Sequence, residues 1–196
     1  MSLVDVPDGQ LAAIVTYLQM RDRPAIEIPP SPLRLDRVPL DPAAYRELFA
    51  LVGAPWLWFS RLIMEDSSLT AVLDDPAVEL FEVRDGEAVV GMLELDSREE
   101  GACELSFVGL VREYSGRGHG RWLLAEALSR AWSRPGVTRV HVHTCTLDHP
   151  AALAAYRRAG FIAVDRKIET FIDPRLAGIL PLDTAPQVPL VGSPSS

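Results

Sequence analysis

The order of predicted elements indicates a mixed α/β domain, with a sheet that is antiparallel in its first part and parallel around a glycine-rich loop. Three observations predict this class. Residues 78–96 alternate between apolar and polar residues around a turn, as in a β-hairpin. Residues 102–133 have the pattern of a strand, a glycine loop and a helix. A further strand, helix and strand follow. The chain has 196 residues, which suits one domain of about 150 residues with extensions.

The first 32 residues are predicted to be an N-terminal extension. Residues 11–20 fit either a strand or an amphipathic helix, and we favour an extra strand because Ile14, Val15 and Thr16 are β-branched there. Prolines are frequent between residues 24 and 32, which indicates a connector rather than a regular element.

The domain itself is expected over residues 33–172. Its first elements, in order, are a strand at 33–38, a helix that begins at Asp41-Pro42 and ends at Gly53, an aromatic helical stretch at 56–64, a short helix at 68–73 and a hairpin that turns at Asp85-Gly86. The later elements are a strand at 102–111, a helix from about 118 to 133, a strand at 137–146, a helix that Gly160 ends and a final strand or hairpin. Residues 173–196 are rich in proline and serine, which predicts a loosely ordered tail.

The charge and composition narrow the range of partners. A net charge of −8 argues against general affinity for nucleic acid or an anionic membrane. No run of about 18 apolar residues predicts a membrane span, and the first residues do not resemble a signal peptide. With only two cysteines in the chain, we expect a reducing, cytoplasmic setting.

The glycine loop predicts a site for a phosphate-bearing ligand. Gly116, Gly118 and Gly120 alternate between an apolar strand and a helix, where backbone N–H groups of the first helical turn point at an anion. An NTPase P-loop is excluded because Arg121 and Trp122 follow the last glycine in place of Lys-Ser/Thr. A dinucleotide fingerprint also fails, since the spacing is not GxGxxG and only one further strand–helix unit follows.

The run ELSFVGLVREYSGRGHGRWLL, followed by DHPAALAAYRRAGF, resembles the Gcn5-related N-acetyltransferase (GNAT) superfamily. The resemblance covers roughly residues 33–167 and is specific over 103–161. It implies a GNAT fold, with antiparallel N-terminal strands and a parallel, splayed central pair flanked by helices. Two residues depart from the family pattern, since Ser115 replaces a long polar side chain and His149 replaces an asparagine.

The resemblance implies acetyl-CoA as the cofactor, with its pyrophosphate on the loop amides and its pantetheine along the exposed edge of residues 107–111. The predicted cofactor-binding residues are Leu110, Val111, Ser115, Gly116, Arg117, Gly118, His119, Gly120, Arg121, His149 and Tyr156.

The resemblance also implies three catalytic positions. Glu104 would be the general base, and we expect partial burial to raise its pKa; the alternatives are a rim carboxylate or an anchor for a cationic substrate. Tyr156 would protonate the departing thiolate, unless its ring only packs against the sheet. A backbone N–H near Gly109 or Leu110 would stabilise the oxyanion, whereas a strand glycine can also mark a bulge.

Trp56, Trp58 and Phe59 fall where this family builds its acceptor pocket, with His143 as a further substrate contact; ordinary core packing is the alternative for the aromatic residues. His141, His143 and Cys145 share one strand face, but one strand rarely supplies three metal ligands, so we predict no metal site.

These observations predict an acetyl-CoA-dependent N-acetyltransferase that transfers acetyl directly to a primary amine of a small molecule or peptide. Two alternatives stay open, a non-catalytic acyl-CoA-binding module on the same fold and a transferase of a longer acyl group. A homodimer is left open as well.

Overall fold

A computed structural model describes residues 3–192. Seven strands and four α-helices follow one another as β1 (Gln10–Met20), β2 (Arg34–Arg37), α1 (Pro42–Gly53), α2 (Asp66–Leu73), β3 (Val78–Asp85), β4 (Ala88–Asp96), β5 (Ala102–Leu110), α3 (His119–Ser133), β6 (Arg139–Cys145), α4 (Ala152–Arg158) and β7 (Ile162–Ile172). Short 3₁₀ turns cover Ala54–Trp56 and Arg112–Tyr114. None of the helices in residues 3–192 is both long and apolar enough to cross a membrane.

All seven strands form one sheet in the order β2-β3-β4-β5-β6-β1-β7. Only the β5–β6 pair is parallel, and every other neighbouring pair is antiparallel. This arrangement confirms the predicted fold class. The parallel pairing is short, since it joins Ala102–Glu104 to Arg139–His141 and then stops. From Leu105 onward, the β5 backbone therefore has no strand neighbour on its β6 side.

The first strand lies inside the sheet. It pairs with β6 through Val15–Met20 and with β7 through Gln10–Gln19, and Ala13, Leu18 and Met20 are buried. The choice of a strand for residues 11–20 is confirmed. The structure makes this segment an integral part of the domain rather than the peripheral extension that we expected, because its apolar residues fill the core between two neighbouring strands.

The sheet has a separate apolar core on each face. On one face, α3 contributes buried residues such as Leu123 and Leu128, which belong to the same cluster as Leu105 of β5 and Val142 of β6. On the other face, α1 supplies a second cluster that includes Phe49. Asp41 caps α1 as predicted, because its side chain accepts a hydrogen bond from the backbone N–H of Ala44.

The expected aromatic helix at 56–64 is wrong. A 3₁₀ turn ends at Trp56, and Leu57 adopts a left-handed conformation with φ of 58°, which a helix does not tolerate. The backbone N–H of Trp58 then turns back to the carbonyl of Gly53. This bend aims the aromatic side chains at the sheet. The hairpin turn is displaced by one residue, since Asp85 pairs with Ala88 and the loop is Gly86-Glu87.

Residues 173–192 contain no helix or strand, yet they pack against the domain. The ion pair between Asp173 and Arg175 is buried, with 2.6 Å between its atoms. The same guanidinium donates to the carbonyls of Ala185 and Val188. The expectation of a loosely ordered tail is therefore wrong up to residue 192, because a buried charge pair and several carbonyls fix its path; residues 193–196 lie outside the described part.

Leu18→Ala is expected to lower the free energy of unfolding by about 2–5 kcal/mol, because Leu18 is only 1% exposed and its loss leaves a cavity in the core. Ile28→Ala in the connector is the matched control, and it should cost less than about 1 kcal/mol since Ile28 is 41% exposed. Urea denaturation followed by circular dichroism measures both values. An equal, small loss for the two variants would contradict the interior position of β1.

Candidate active site

A cavity of about 970 Å³ opens where β5 and β6 separate. Its lining includes Leu123 of α3 and Tyr156 of α4 on one face of the sheet, and Trp58 and His143 on the other. Since side chains from both faces line it, the cavity passes through the sheet between the two strands. A ligand bound in it would be reachable from both sides.

The glycine loop forms one end of this cavity. Gly116 and Gly118 have φ of 76° and 86°, the left-handed region that favours glycine. A Cβ built on Gly116, Gly118 or Gly120 would meet no atom within 4 Å, so open space lies beside the backbone. Gly118 also precedes α3 without any side-chain cap, and Arg121 lines the cavity. Backbone N–H groups, a helix N-terminus and one guanidinium fit a phosphate group.

Most predicted cofactor-binding residues line the cavity, and three do not. Leu110, Ser115, the three loop glycines, Arg121, His149 and Tyr156 belong to the lining. Val111, Arg117 and His119 lie outside it. Val111 instead packs against both apolar clusters, and the His119 ring faces Tyr114 at 5.9 Å between centroids.

Glu104 and His143 form a hydrogen-bonded pair at the other end. The His143 Nδ1 lies 3.1 Å from the Glu104 Oε1, and His143 lines the cavity whereas Glu104 lies behind it. The expected rise in the pKa of Glu104 is wrong, because the hydrogen bond from His143 holds the pKa of that carboxyl below its ordinary value despite partial burial. The same hydrogen bond raises the pKa of His143.

Tyr156 lies on α4 and lines the cavity from the glycine-loop side of the sheet. Its ring packs edge-on against Phe161, with 5.8 Å between centroids. Burial, and then the charge of Asp148, raise the pKa of the Tyr156 phenol. Its hydroxyl therefore keeps its proton at neutral pH.

The predicted aromatic residues form a wall of the cavity. Trp56, Trp58 and Phe59 all belong to the lining. The Phe59 ring also faces Phe171 of β7, with 5.1 Å between centroids. These side chains therefore pack against the protein interior and also line the cavity, where they could contact a ligand. The bend at Leu57, which the sequence pattern did not predict, brings them together.

Gly109 lines the cavity beside this wall. A Cβ at this position would lie 2.7 Å from the Val52 Cγ1 and 3.3 Å from the Trp58 Cη2. Glycine at this position therefore leaves room for the Val52 and Trp58 side chains, and it also leaves the β5 backbone open to a ligand in the cavity.

Asp148 is a site residue that the sequence analysis missed. One carboxylate oxygen accepts from the Trp58 indole N–H at 3.0 Å, and the other accepts from the Thr144 hydroxyl at 2.7 Å and the Cys145 backbone N–H at 2.8 Å. The carboxylate thus joins the aromatic wall to the loop after β6. The one available signal was an aspartate shortly after the strand predicted at 137–146.

Glu169 of β7 also lines the cavity and was missed. The uncertainty between a strand and a hairpin for this segment left its side-chain direction undefined. The structure shows one continuous strand, in which Glu169 and Phe171 face the cavity.

His141, His143 and Cys145 lie on the same face of β6, as predicted, since the intervening Val142 and Thr144 are buried on the opposite side. Burial raises the pKa of Cys145 to about 11, so its thiol is protonated at neutral pH and is a poor nucleophile. Within the described residues, no group of three His, Cys, Asp or Glu side chains is placed to hold a metal ion.

Residues 44–161 match the family model described as the Acetyltransferase (GNAT) family. The chain belongs to this family. The match spans α1 to the end of α4, so it contains the glycine loop, the His143–Glu104 pair and Tyr156. No curated protein matches the chain.

Solved structures share the fold at low sequence identity. A GCN5-related N-acetyltransferase from Sphaerobacter thermophilus is 24% identical with a TM-score of 0.56, and the match covers 85% of this chain and 52% of that one. One from Kribbella flavida is 19% identical with a TM-score of 0.54, covering 85% and 60%. A putative acetyltransferase of the GNAT family from Novosphingobium aromaticivorans is 18% identical with a TM-score of 0.57, covering 86% and 69%. The chain thus spans between about half and two thirds of the length of these structures.

Glu104→Gln is expected to lower the pKa of His143, because the carboxylate that stabilises the imidazolium is removed. NMR titration of the His143 ring measures the change. Glu99→Gln is the matched control, since Glu99 lies 3.8 Å from His141 on the same sheet face and should leave the pKa of His143 unchanged. An unaltered His143 pKa in Glu104→Gln would contradict the pairing.

Proposed function

We propose that this chain is an acetyl-CoA-dependent N-acetyltransferase that transfers acetyl directly to a primary amine of a small molecule or peptide. One observation carries the proposal. One cavity passes through the sheet, with the glycine loop at one end and a histidine–carboxylate pair at the other. A donor and an acceptor entering from opposite faces would meet between β5 and β6.

The residues present fit acetyl-CoA, which would supply an acetyl group already activated as a thioester. The N–H groups of residues 116–121 and the Arg121 guanidinium would bind its phosphates. The β5 backbone from Leu105 to Leu110 would hold the pantetheine, since its polar groups on the β6 side have no strand partner. A backbone N–H near Gly109 or Leu110 would stabilise negative charge on the carbonyl oxygen.

His143 would act as the general base, and Glu104 would position it. The hydrogen bond to Glu104 occupies Nδ1, which leaves Nε2 as the atom that removes a proton from the acceptor ammonium. Glu104 stays ionised because its pKa is lowered, and it stabilises the imidazolium that forms. This revises the expectation that Glu104 itself is the base. A positioned base of this kind typically contributes about 10²–10⁴-fold to the rate.

Tyr156 would donate the proton that the departing sulfur needs. Its raised pKa keeps the hydroxyl protonated at neutral pH, and the side chain lines the cavity from the glycine-loop side of the sheet. The aromatic wall would contact the acceptor, because rings beside a carboxylate-bearing pocket favour a cationic amine.

A cytoplasmic location is part of the proposal, because the two cysteines are free thiols and a reducing compartment keeps thiols reduced.

The test is release of free thiol from acetyl-CoA in the presence of a panel of primary amines, together with calorimetry of CoA binding. We expect amine-dependent thiol release. Gly118→Glu should weaken CoA binding about 100-fold or more, because the new carboxylate fills the open space beside the loop and repels phosphate.

Arg117→Gln is the matched control in the same loop. Its side chain lies outside the cavity lining, so CoA affinity should change by less than about threefold. Tight CoA binding without turnover of any amine would contradict the enzyme and support a non-catalytic binding module. Faster turnover of longer acyl-CoA donors would contradict acetyl as the transferred group. Unchanged affinity in Gly118→Glu would contradict the loop as the phosphate site.

A further inference from the structure

Strand β7 forms an outer edge of the sheet. It pairs with β1 on one side, and within residues 3–192 no strand pairs with its other side. The strand has 11 residues and nearly all of them are exposed. A long edge presents a row of unpaired backbone N–H and C=O groups, which another strand can join.

The two faces of this edge differ in character. Lys167 and Glu169 lie on the cavity face. On the other face, Ile168 is 73% exposed and Ile172 is 58% exposed, and Ile168 pairs across with Ile14 of β1, which is itself 44% exposed. Adjacent exposed isoleucines on a sheet face are typical of an interaction surface.

We propose that β7 pairs antiparallel with β7 of a second copy of this chain, about a two-fold axis at Ile168. In this register Lys167 lies opposite the partner's Glu169, and Glu169 lies opposite the partner's Lys167. Two opposite-charge pairs thus form on the cavity face, while Ile168 meets the partner's Ile168 on the apolar face.

The charge pattern of β7 selects this register over its neighbours. An axis at Lys167 would place that ammonium opposite its own copy and Asp165 opposite the partner's Glu169. An axis at Glu169 would oppose two carboxylates. One at Arg166 would form two Asp165–Lys167 pairs but would oppose two guanidinium groups at its centre. Like charges directly opposite each other are destabilising. The β-bulge against β1 also falls before Asp165, so a pairing of residues 165–171 uses only regular strand.

The pairing would bring a residue of the second copy to the cavity. Glu169 lines the cavity and forms no ion pair within residues 3–192, whereas Lys167 lies 3.6 Å from Asp165 and would exchange that exposed partner for Glu169 of the second copy. In the dimer the partner's Lys167 would lie beside it at the rim. The two sheets would then be continuous, with fourteen strands, and the two His143 side chains would lie on the same face. This inference does not depend on the proposed function.

The test uses the full chain and sedimentation velocity over a range of concentrations. Lys167→Glu and Glu169→Lys should each raise the dimer dissociation constant about tenfold or more, because either change converts both charge pairs into repulsive ones. The double variant Lys167→Glu with Glu169→Lys should restore the affinity, since the pairs are re-formed with their charges exchanged. A chain that stays monomeric, or a double variant no tighter than the single ones, would overturn the proposal.

A second measurement tests the position of the axis. Ile168→Cys should form a disulfide between copies under mild oxidation, because directly opposite residues have Cα atoms about 4.5–5.5 Å apart. Thr170→Cys is the control on the same face. Its two copies would lie four residues out of register, about 13 Å apart, and should not cross-link. Equal cross-linking of the two variants, or none in Ile168→Cys, would contradict an axis at Ile168; the unaltered chain measures the background from its two native cysteines.

Discussion

The parallel contact between β5 and β6 stops after three residue pairs, and the rest of the site depends on that break. A fully paired β5–β6 ladder would leave no passage through the sheet and no unpaired β5 backbone. The gap stays open because β6 has a second neighbour. Strand β1 pairs with β6 from Val140 to Cys145, so β6 keeps its position without help from β5. The N-terminal strand, which contributes no predicted catalytic residue, thereby supports the cavity.

The two ends of this cavity are built from different chemical groups. At the glycine loop, the site consists of backbone, since left-handed glycines and the start of α3 leave N–H groups and open space for an anion. At the acceptor end it consists of side chains held by hydrogen bonds. Glu104 fixes one nitrogen of His143, and Asp148 fixes the Trp58 indole. Glu104 and Asp148 thus have positioning roles, and this end of the cavity is lined by an imidazole, aromatic rings and the side chains of Asp148 and Glu169. This division explains why opposite pKa shifts occur in the neighbouring Glu104 and His143.

The fold and the glycine loop could be predicted because their signals are local. Alternating strands, the Asp41 cap and the alternating glycines each depend on residues close in sequence, and the family motif joins them. The remaining features depend on contacts between distant residues. The bend at Leu57 results from packing against the sheet, so the apolar pattern of residues 56–64 wrongly favoured a helix. The pKa of Glu104 depends on a histidine 39 residues away, and burial alone predicted the opposite direction. Arg175 fixes the C-terminal segment through carbonyl groups, for which no sequence pattern exists.

The most direct test of this account is hydrogen–deuterium exchange of the full chain with and without CoA. If the donor enters the gap between β5 and β6, exchange should slow at residues 105–110 and at the loop amides of 116–121. Strands β2 and β3 should be unaffected, since β4 separates them from β5. Protection of the loop without protection of residues 105–110, or protection confined to other strands, would contradict the central claim.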